Sequence, residues 1–283
     1  LETFVTRKAT AARWRGATAL TTQEPRVAEV AADLEIIDIE VIVPAWNEEA
    51  RLENTLRSLT QHLARQPWPS AVVVVDNGCV DRTADVVRAV ATDSPVPVQL
   101  LGCIEPGKGA AIRRGVLRSQ ATVIGFQDAD LATPLDALAP AIRALTDGAD
   151  IVVASRRCPG GRIQDPQPAL RRLGGDMFHY LTGKVVPGIH DTQCGFKFLR
   201  GDVARALFAE LATDGFAFDV ELLARAQARG LRIAEIPVTW VSQDGSTFRM
   251  SRDGRRAYLD LFRLWRSVLA KEFGTGGAQP EPA

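Results

Sequence analysis

At 283 residues and 46% apolar side chains, the chain is long and apolar enough to bury the core of one large globular domain. Its 34 Lys and Arg balance 34 Asp and Glu, so no global basic field exists to wrap nucleic acid, and any anionic partner must be held by local groups. No apolar run approaches the ~18 to 20 residues that cross a bilayer, and residues 1–20 lack the apolar stretch and cleavage site of a secretion signal. Neither a membrane span nor a leader is therefore expected.

Residues 1–35, rich in Ala, Thr and Arg, read as a loosely docked extension, and 274–283, rich in Gly and Pro, as a disordered tail. Between them, residues 36–273 alternate short β-branched runs with longer helical stretches. That is the pattern of an α/β domain with a mainly parallel sheet. A strand over 40–44 ends at Pro44, and Ala50, Leu52, Leu56, Leu59 and Leu63 recur at helical spacing over 48–64. A second strand, 71–75, stops at Asp76-Asn77-Gly78, and Asp81 or Arg82 opens a helix through Val90. A third strand over 98–101 leads through Pro106-Gly107-Lys108-Gly109 into a helix over 110–119. A fourth, 122–126, stops at Gln127-Asp128-Ala129-Asp130. Each polar cluster thus falls just past the carboxyl end of a strand, where open α/β sheets bind ligands.

Asp128 and Asp130 flank one small residue, so in an extended segment both carboxylates turn the same way and can share one ion or its waters. Hard oxygen ligands imply Mg2+ or Mn2+, completed by water and substrate phosphates, which suits a nucleoside diphosphate. The cysteines (Cys79, Cys103, Cys158, Cys194) and histidines (His62, His179, His190) are scattered without a CxxC pair. This argues against zinc and for a reducing, cytoplasmic setting. Asp76 suits either contact with a base or ribose or the capping of a turn, and Lys108 between two glycines has the reach to meet phosphate. Asp191, Asp219 and Glu221 are further candidate carboxylates. Which of them acts as a base depends on the acceptor, because a phosphate oxygen is already anionic whereas a hydroxyl needs its proton removed. Residues 254–273 carry Tyr258, Leu261, Phe262, Trp265, Val268 and Leu269 among five cations. Such an amphipathic helix either packs on the domain or lies on an anionic membrane.

The order Val43-Pro44-Ala45-Trp46-Asn47-Glu48-Glu49, Val75-Asp76-Asn77-Gly78, Gly107-Lys108-Gly109 and Asp128-Ala129-Asp130-Leu131 resembles the family 2 glycosyltransferases. Ala154-Ser155-Arg156, Asp191 through Lys197 and Phe216 through Glu221 extend the resemblance toward the dolichyl-phosphate glucosyltransferase and polyprenyl-phosphate mannosyltransferase branch, over roughly residues 38–265. The resemblance implies the GT-A fold, a Rossmann-like, mixed but mainly parallel sheet flanked by helices in a single domain. It implies that Pro44, Trp46, Glu48, Asp76, Asn77 and Lys108, with Asp128, Ala129 and Asp130, bind the nucleotide, and that Asp128 and Asp130 hold the metal. Arg156 and Arg171 fall where such enzymes hold the acceptor phosphate, with Asp219 and Glu221 on the acceptor side and Asp191 as a further catalytic candidate. Trp46 departs from the usual tyrosine but keeps an aromatic face. Ala132 departs from the glutamine of many mannosyl relatives, which favours a glucosyl donor.

The expected activity is inverting transfer of a hexose, from UDP-glucose first and GDP-mannose next, to a polyprenyl or dolichyl phosphate at the cytoplasmic membrane face. The alternatives are transfer to a soluble hydroxyl acceptor, a nucleotidyltransferase, and a noncatalytic nucleotide-sugar binding module.

Overall fold

The computed structural model describes residues 38–164, 169–241 and 257–264. The expectations for residues 1–35 and 274–283, and most of that for the helix over 254–273, lie outside these residues. β-branched and aromatic residues form most of the strands: β1 is Ile39–Ala45, β2 Ser70–Asp76, β3 Val98–Gly102, β4 Val123–Gln127, β5 Ile151–Ser155, β7 Phe196–Arg200 and β8 Ile233–Pro237. They make one seven-stranded sheet in the order β3-β2-β1-β4-β7-β5-β8. β7 runs antiparallel to both β4 and β5, and the other strands run parallel. The short strands β6 (Arg162–Ile163) and β9 (Thr239–Trp240) pair separately.

Helices cover both faces. Helices α1 (Leu52–Ala64), α2 (Thr83–Asp93) and α4 (Leu138–Thr146) pack on one side. On the other lie α3 (Lys108–Arg118), α6 (Gly201–Phe208), α7 (Phe218–Ala228) and the end of α5 (Ala169–Val185). The period of two sorts β7 between these layers, with Phe196 and Phe198 entering the first core and Leu199 the second. In α1 the stripe Leu52, Leu56, Leu59 and Leu63 is fully buried, each side chain contributing roughly 1.5 to 3 kcal/mol against exposure. A further helical segment, α8, spans residues 257–264. It meets α5 through the edge-to-face rings of Phe178 and Tyr258, whose centroids are 5.3 Å apart.

The α/β class, the first four strands and the helices between them match the sequence expectation, with two boundary differences. The first helix starts at Leu52, not residue 48. Asn47 has a left-handed φ of 56°, and Glu48 and Glu49 are spent on the neighbouring loop through Glu48 N to Thr83 Oγ1 (2.9 Å) and Arg82 N to Glu49 Oε2 (2.8 Å). The third helix starts earlier, at Lys108, because Gly107, at φ 137°, turns the chain directly into it.

Cross-strand packing around β7 is close enough to test. Gly125 lies opposite Phe198 in the register of β4 and β7, and a Cβ at Gly125 would overlap the Phe198 ring. Gly125→Ala is expected to destabilise the fold by about 1 to 3 kcal/mol through overpacking. An unchanged urea midpoint would show that the sheet yields at this point.

Candidate active site

One half of the candidate site is a set of loops at the carboxyl ends of β1, β2 and β3, stitched together by polar side chains. Val80 N donates to Asn47 Oδ1 (2.9 Å), and Asp76 Oδ1 accepts from Cys79 N (2.8 Å). Asn77 binds the third loop twice, through Glu105 O (2.7 Å) and Gly107 N (2.8 Å). Both Asp76 and Asn77 thus fix turns here. Trp46, just past Pro44, leaves 42% of its surface exposed beside these loops. The Gly107–Gly109 turn presses against residues 213–218, where a Cβ on either glycine would overlap backbone. Ala110 N donates to Asp214 O (3.1 Å) in the same contact.

Lys108 leaves this turn to meet Asp128 (2.6 Å), and its ammonium sits 6.0 Å from the Phe216 ring centroid. Burial alone would lower the lysine pKa, yet Asp128 and Asp219 hold it above its ordinary value. Ala129 O accepts from Thr55 Oγ1 (2.5 Å), Asp130 Oδ1 accepts from Ala132 N (3.0 Å), and Leu131 adopts a left-handed φ of 52°. Gln127 Nε2 then donates to Thr133 O (3.0 Å), closing the turn. Asp130 and Glu48 both titrate above the ordinary carboxylate range. For Asp130 the causes are burial and then Asp128. For Glu48 burial again leads and Asp130 and Asp128 add to it, against the opposing pull of Arg51, 2.5 Å away.

Among the described residues no group of three or more His, Cys, Asp or Glu forms a metal cage. The like-charged Asp128, Asp130 and Glu48 nevertheless fit an ion that takes one or two protein carboxylates and fills its shell with phosphate and water.

The other half is assembled around β7. Asp191 grips Arg156 by a forked pair, Nε to Oδ2 at 2.6 Å and Nη2 to Oδ1 at 2.9 Å, and also accepts from Arg156 N. Arg156 stacks 5.6 Å from the Trp240 ring centroid. Glu235 of β8 pins the loop by accepting from the amides of His190 (3.0 Å) and Asp191 (3.1 Å). Burial would raise the Asp191 pKa, but the Arg156 hydrogen bonds hold it below the usual value. Asp219, in the first turn of α7, bonds Lys197 Nζ (2.5 Å), and that ammonium also donates to Cys194 O (2.8 Å). Glu221 accepts from the amides of Ala212 (3.1 Å) and Thr213 (2.8 Å) and from Arg225 (2.8 Å), so it holds a loop. Arg171 falls in α5, and its side chain lies outside the described residues.

The structure therefore gathers Lys108, Asp128, Asp130 and Glu48 in one cluster and joins Arg156 to Asp191, while Glu221 points its charge into a structural cap. Several supporting residues escape a reading by motif. Thr55 holds the acidic turn from within α1. Gly195 backs so closely on the Asp128 carboxylate that a Cβ there would overlap it, and its carbonyl accepts from Asp128 N (3.2 Å). Lys197 had one visible signal, a charge set between Phe196 and Phe198 in the strand Phe196–Arg200, and it is fully buried.

Against known proteins, the model of glycosyl transferase family 2 matches residues 40–208. The dolichyl-phosphate beta-glucosyltransferase of Trichomonas vaginalis is 37% identical over 224 residues, 74% of this chain and 66% of its own length. The enzyme of that name from Drosophila melanogaster is 35% identical over 245 residues, 81% of this chain and 74% of its own. The human one is 34% identical over 224 residues, 74% and 68%. The chain thus spans about two thirds to three quarters of these relatives. Among solved structures, Mycobacterium tuberculosis glucosyl-3-phosphoglycerate synthase with Mn2+, UDP-glucose and phosphoglyceric acid superposes with a TM-score of 0.62 at 19% identity, over 87% of this chain and 86% of that one. At that identity the likeness establishes the GT-A fold. Fold and sequence together define a nucleotide-sugar glycosyltransferase. The chain belongs to glycosyl transferase family 2.

A carboxylate whose folded pKa is raised lowers stability as pH climbs from its unfolded value through its folded value, and the full cost remains above that. Asp130→Asn keeps the acceptor oxygen for Ala132 N and removes the charge. The metal-free variant is expected to melt roughly 2 °C higher than the parent at neutral pH. The gain should vanish below about pH 4, where Asp130 is protonated in both states. A variant that melts lower at neutral pH would mean that the charge is already compensated.

Proposed function

We propose that the chain transfers a hexose with inversion from a nucleotide sugar, UDP-glucose in preference to GDP-mannose, to a polyprenyl or dolichyl phosphate. Pro44, Trp46, Glu48, Asp76 and Asn77 form the nucleotide subsite, with the exposed Trp46 side chain stacking on the base. Asp128 and Asp130 hold Mg2+ or Mn2+, which on binding neutralises the diphosphate leaving group. Lys108 adds fixed positive charge at the same place. Ala132 is buried and carries no polar side chain toward the acidic pair, in keeping with a glucosyl donor.

One observation carries the choice of acceptor. Asp191 is tied to Arg156, Asp219 to Lys197, and Glu221 to residues 212–213 and Arg225. None of these three carboxylates stands free to take a proton from a hydroxyl. A phosphate acceptor needs no such base, because its anionic oxygen attacks the anomeric carbon directly as the bond from that carbon to the diphosphate breaks. Arg156, with Arg171, is the acceptor's counterion, and Asp191 holds the guanidinium plane in position. The names of the relatives support the same acceptor.

The lipid end of such an acceptor calls for a membrane surface, and no helix among the described residues is long and apolar enough to cross one. Met177 and Tyr180 are exposed on α5, with Lys184 over Tyr180, and Leu259 and Phe262 are exposed on α8, which meets α5 at Phe178 and Tyr258. These apolar side chains support peripheral attachment to a membrane surface, which the proposal places at the cytoplasmic face.

Calorimetry is expected to show binding of UDP-glucose that requires Mg2+ or Mn2+ and is lost in Asp130→Ala. Failure to bind any nucleotide sugar would sink the donor assignment. In transfer to a polyprenyl phosphate, Arg156→Lys keeps a charge beside Asp191 but loses the fork. It should raise the acceptor KM about tenfold or more while donor affinity stays within about twofold, and an unchanged acceptor KM would remove Arg156 from that role. Tyr180→Ser with Phe262→Ser should reduce sedimentation with vesicles containing anionic lipid by roughly tenfold. Equal sedimentation would move the membrane contact elsewhere.

A further inference from the structure

Among the described residues Lys197 is the one charged side chain with 0% exposure, and the transfer proposed above gives it no part. It stands in β7 between Phe196 and Phe198, with its ammonium 5.5 Å from the Phe126 ring centroid of β4. Lysine is rarely buried to this degree. Desolvation takes back most of what a buried ion pair returns, so an apolar side chain of similar length would often serve such a core as well. The reason for a charge here lies in what the ammonium holds.

It holds two groups, and each leads to the acidic turn after β4. The first is Cys194 O, which accepts from Lys197 Nζ at 2.8 Å. Cys194 is bonded to Gly195, whose carbonyl accepts from Asp128 N (3.2 Å) and whose Cα backs on the Asp128 carboxylate so closely that a Cβ there would lie 2.0 Å from Oδ2. The second is Asp219, 2.5 Å from Lys197 Nζ. Asp219 and Asp128 are the two carboxylates that act most strongly on Lys108, which bonds Asp128 at 2.6 Å. With Lys197 in place, the charge of Asp219 is compensated and Lys108 stays with Asp128. Without it, Asp219 would compete for Lys108, and the peptide next to Gly195 would lose its anchor.

We propose that Lys197 is a positioning residue for the metal subsite. Through Cys194 and Gly195 it fixes the Asp128 carboxylate that receives the divalent cation, and through Asp219 it fixes the partner of Lys108. It touches neither the ion nor the nucleotide. Groups that orient a metal-binding carboxylate from behind change metal affinity by about tenfold or more when removed.

The inference rests on the proposed donor site, and the experiment separates the two. Mn2+ is titrated into the protein in the presence of UDP, free Mn2+ is counted by electron paramagnetic resonance, and the melting midpoint of each metal-free protein is recorded. In the parent, binding that disappears in Asp130→Ala identifies the site. Lys197→Met is expected to weaken Mn2+ binding about tenfold. It should also melt several degrees lower, because Asp219 is left buried and unpaired. Adding Asp219→Leu removes that stranded charge and leaves Cys194 O still unanchored. The double variant should therefore regain most of the melting midpoint while its Mn2+ affinity stays about fivefold or more below the parent. Parental Mn2+ affinity in Lys197→Met would overturn the inference. So would Mn2+ affinity that follows the melting midpoint across the parent, the single and the double variant, since Lys197 would then support the fold and nothing more. If the parent itself shows no Mn2+ binding that depends on Asp130, the donor reading fails, and this inference falls with it.

Discussion

The antiparallel insertion of β7 between β4 and β5 is the constraint on which the site depends. Its register sets Phe196 opposite Gln127 and Lys197 opposite Val153. The segment entering β7 therefore meets the segments leaving β4 and β5 at one edge of the sheet. A parallel strand would have delivered its beginning to the far edge, and Asp191, Gly195 and Lys197 would have been a strand length away from Asp128 and Arg156. The close backing of Gly195 on Asp128 and the overlap that a Cβ at Gly125 would make with Phe198 are two consequences of the same register. Both glycines are explained by the approach of β7, with no appeal to flexibility.

On that frame the charges alternate in space. Arg51 faces Glu48, Lys108 faces Asp128, Lys197 faces Asp219 and Arg156 faces Asp191. Buried pairs of this kind contribute little net stability, because desolvation offsets most of their attraction, but they fix geometry. Asp130 makes no ion pair of its own among the described residues, and burial and the like charge of Asp128 outweigh the pull of Lys108 and Arg51 on it, while burial, Asp130 and Asp128 raise Glu48 against Arg51. The left-handed Asn47 and Leu131 bracket the same cluster. Left-handed backbone and like charge thus coincide around the turn after β4, where a divalent cation would relieve the second.

The polar clusters past β2, β3 and β4 were legible in the sequence because each of these parts is local. Asp76 and Asn77, Lys108, and Asp128 with Asp130 each end a strand whose β-branched run is readable, and placement past a strand end follows from the α/β pattern alone. Even there, the detailed duties differ from the first impression, since Asn77 ties loops together and Glu49 caps the neighbouring helix start. The pairing of Arg156 with Asp191 was not legible in spacing, because it is made by topology. Arg156, Asp191 and Trp240 are far apart in the chain, and no periodicity predicts that β7 reverses direction. Thr55 is the extreme case, a hydroxyl inside an amphipathic helix whose bond to Ala129 O has no signature in spacing or composition.

The same contrast explains why the buried polar groups divide as they do. Where the chain supplies both partners, as in Lys197 with Asp219 or Gln127 with Thr133, the groups are satisfied and their work is to hold backbone. Thr192 Oγ1 and Gln193 Nε2, buried in the 191–195 loop, have no such partner within the protein. Bonds to Glu235, Lys197 and Thr133 on either side of them hold that loop to β8, β7 and the turn after β4.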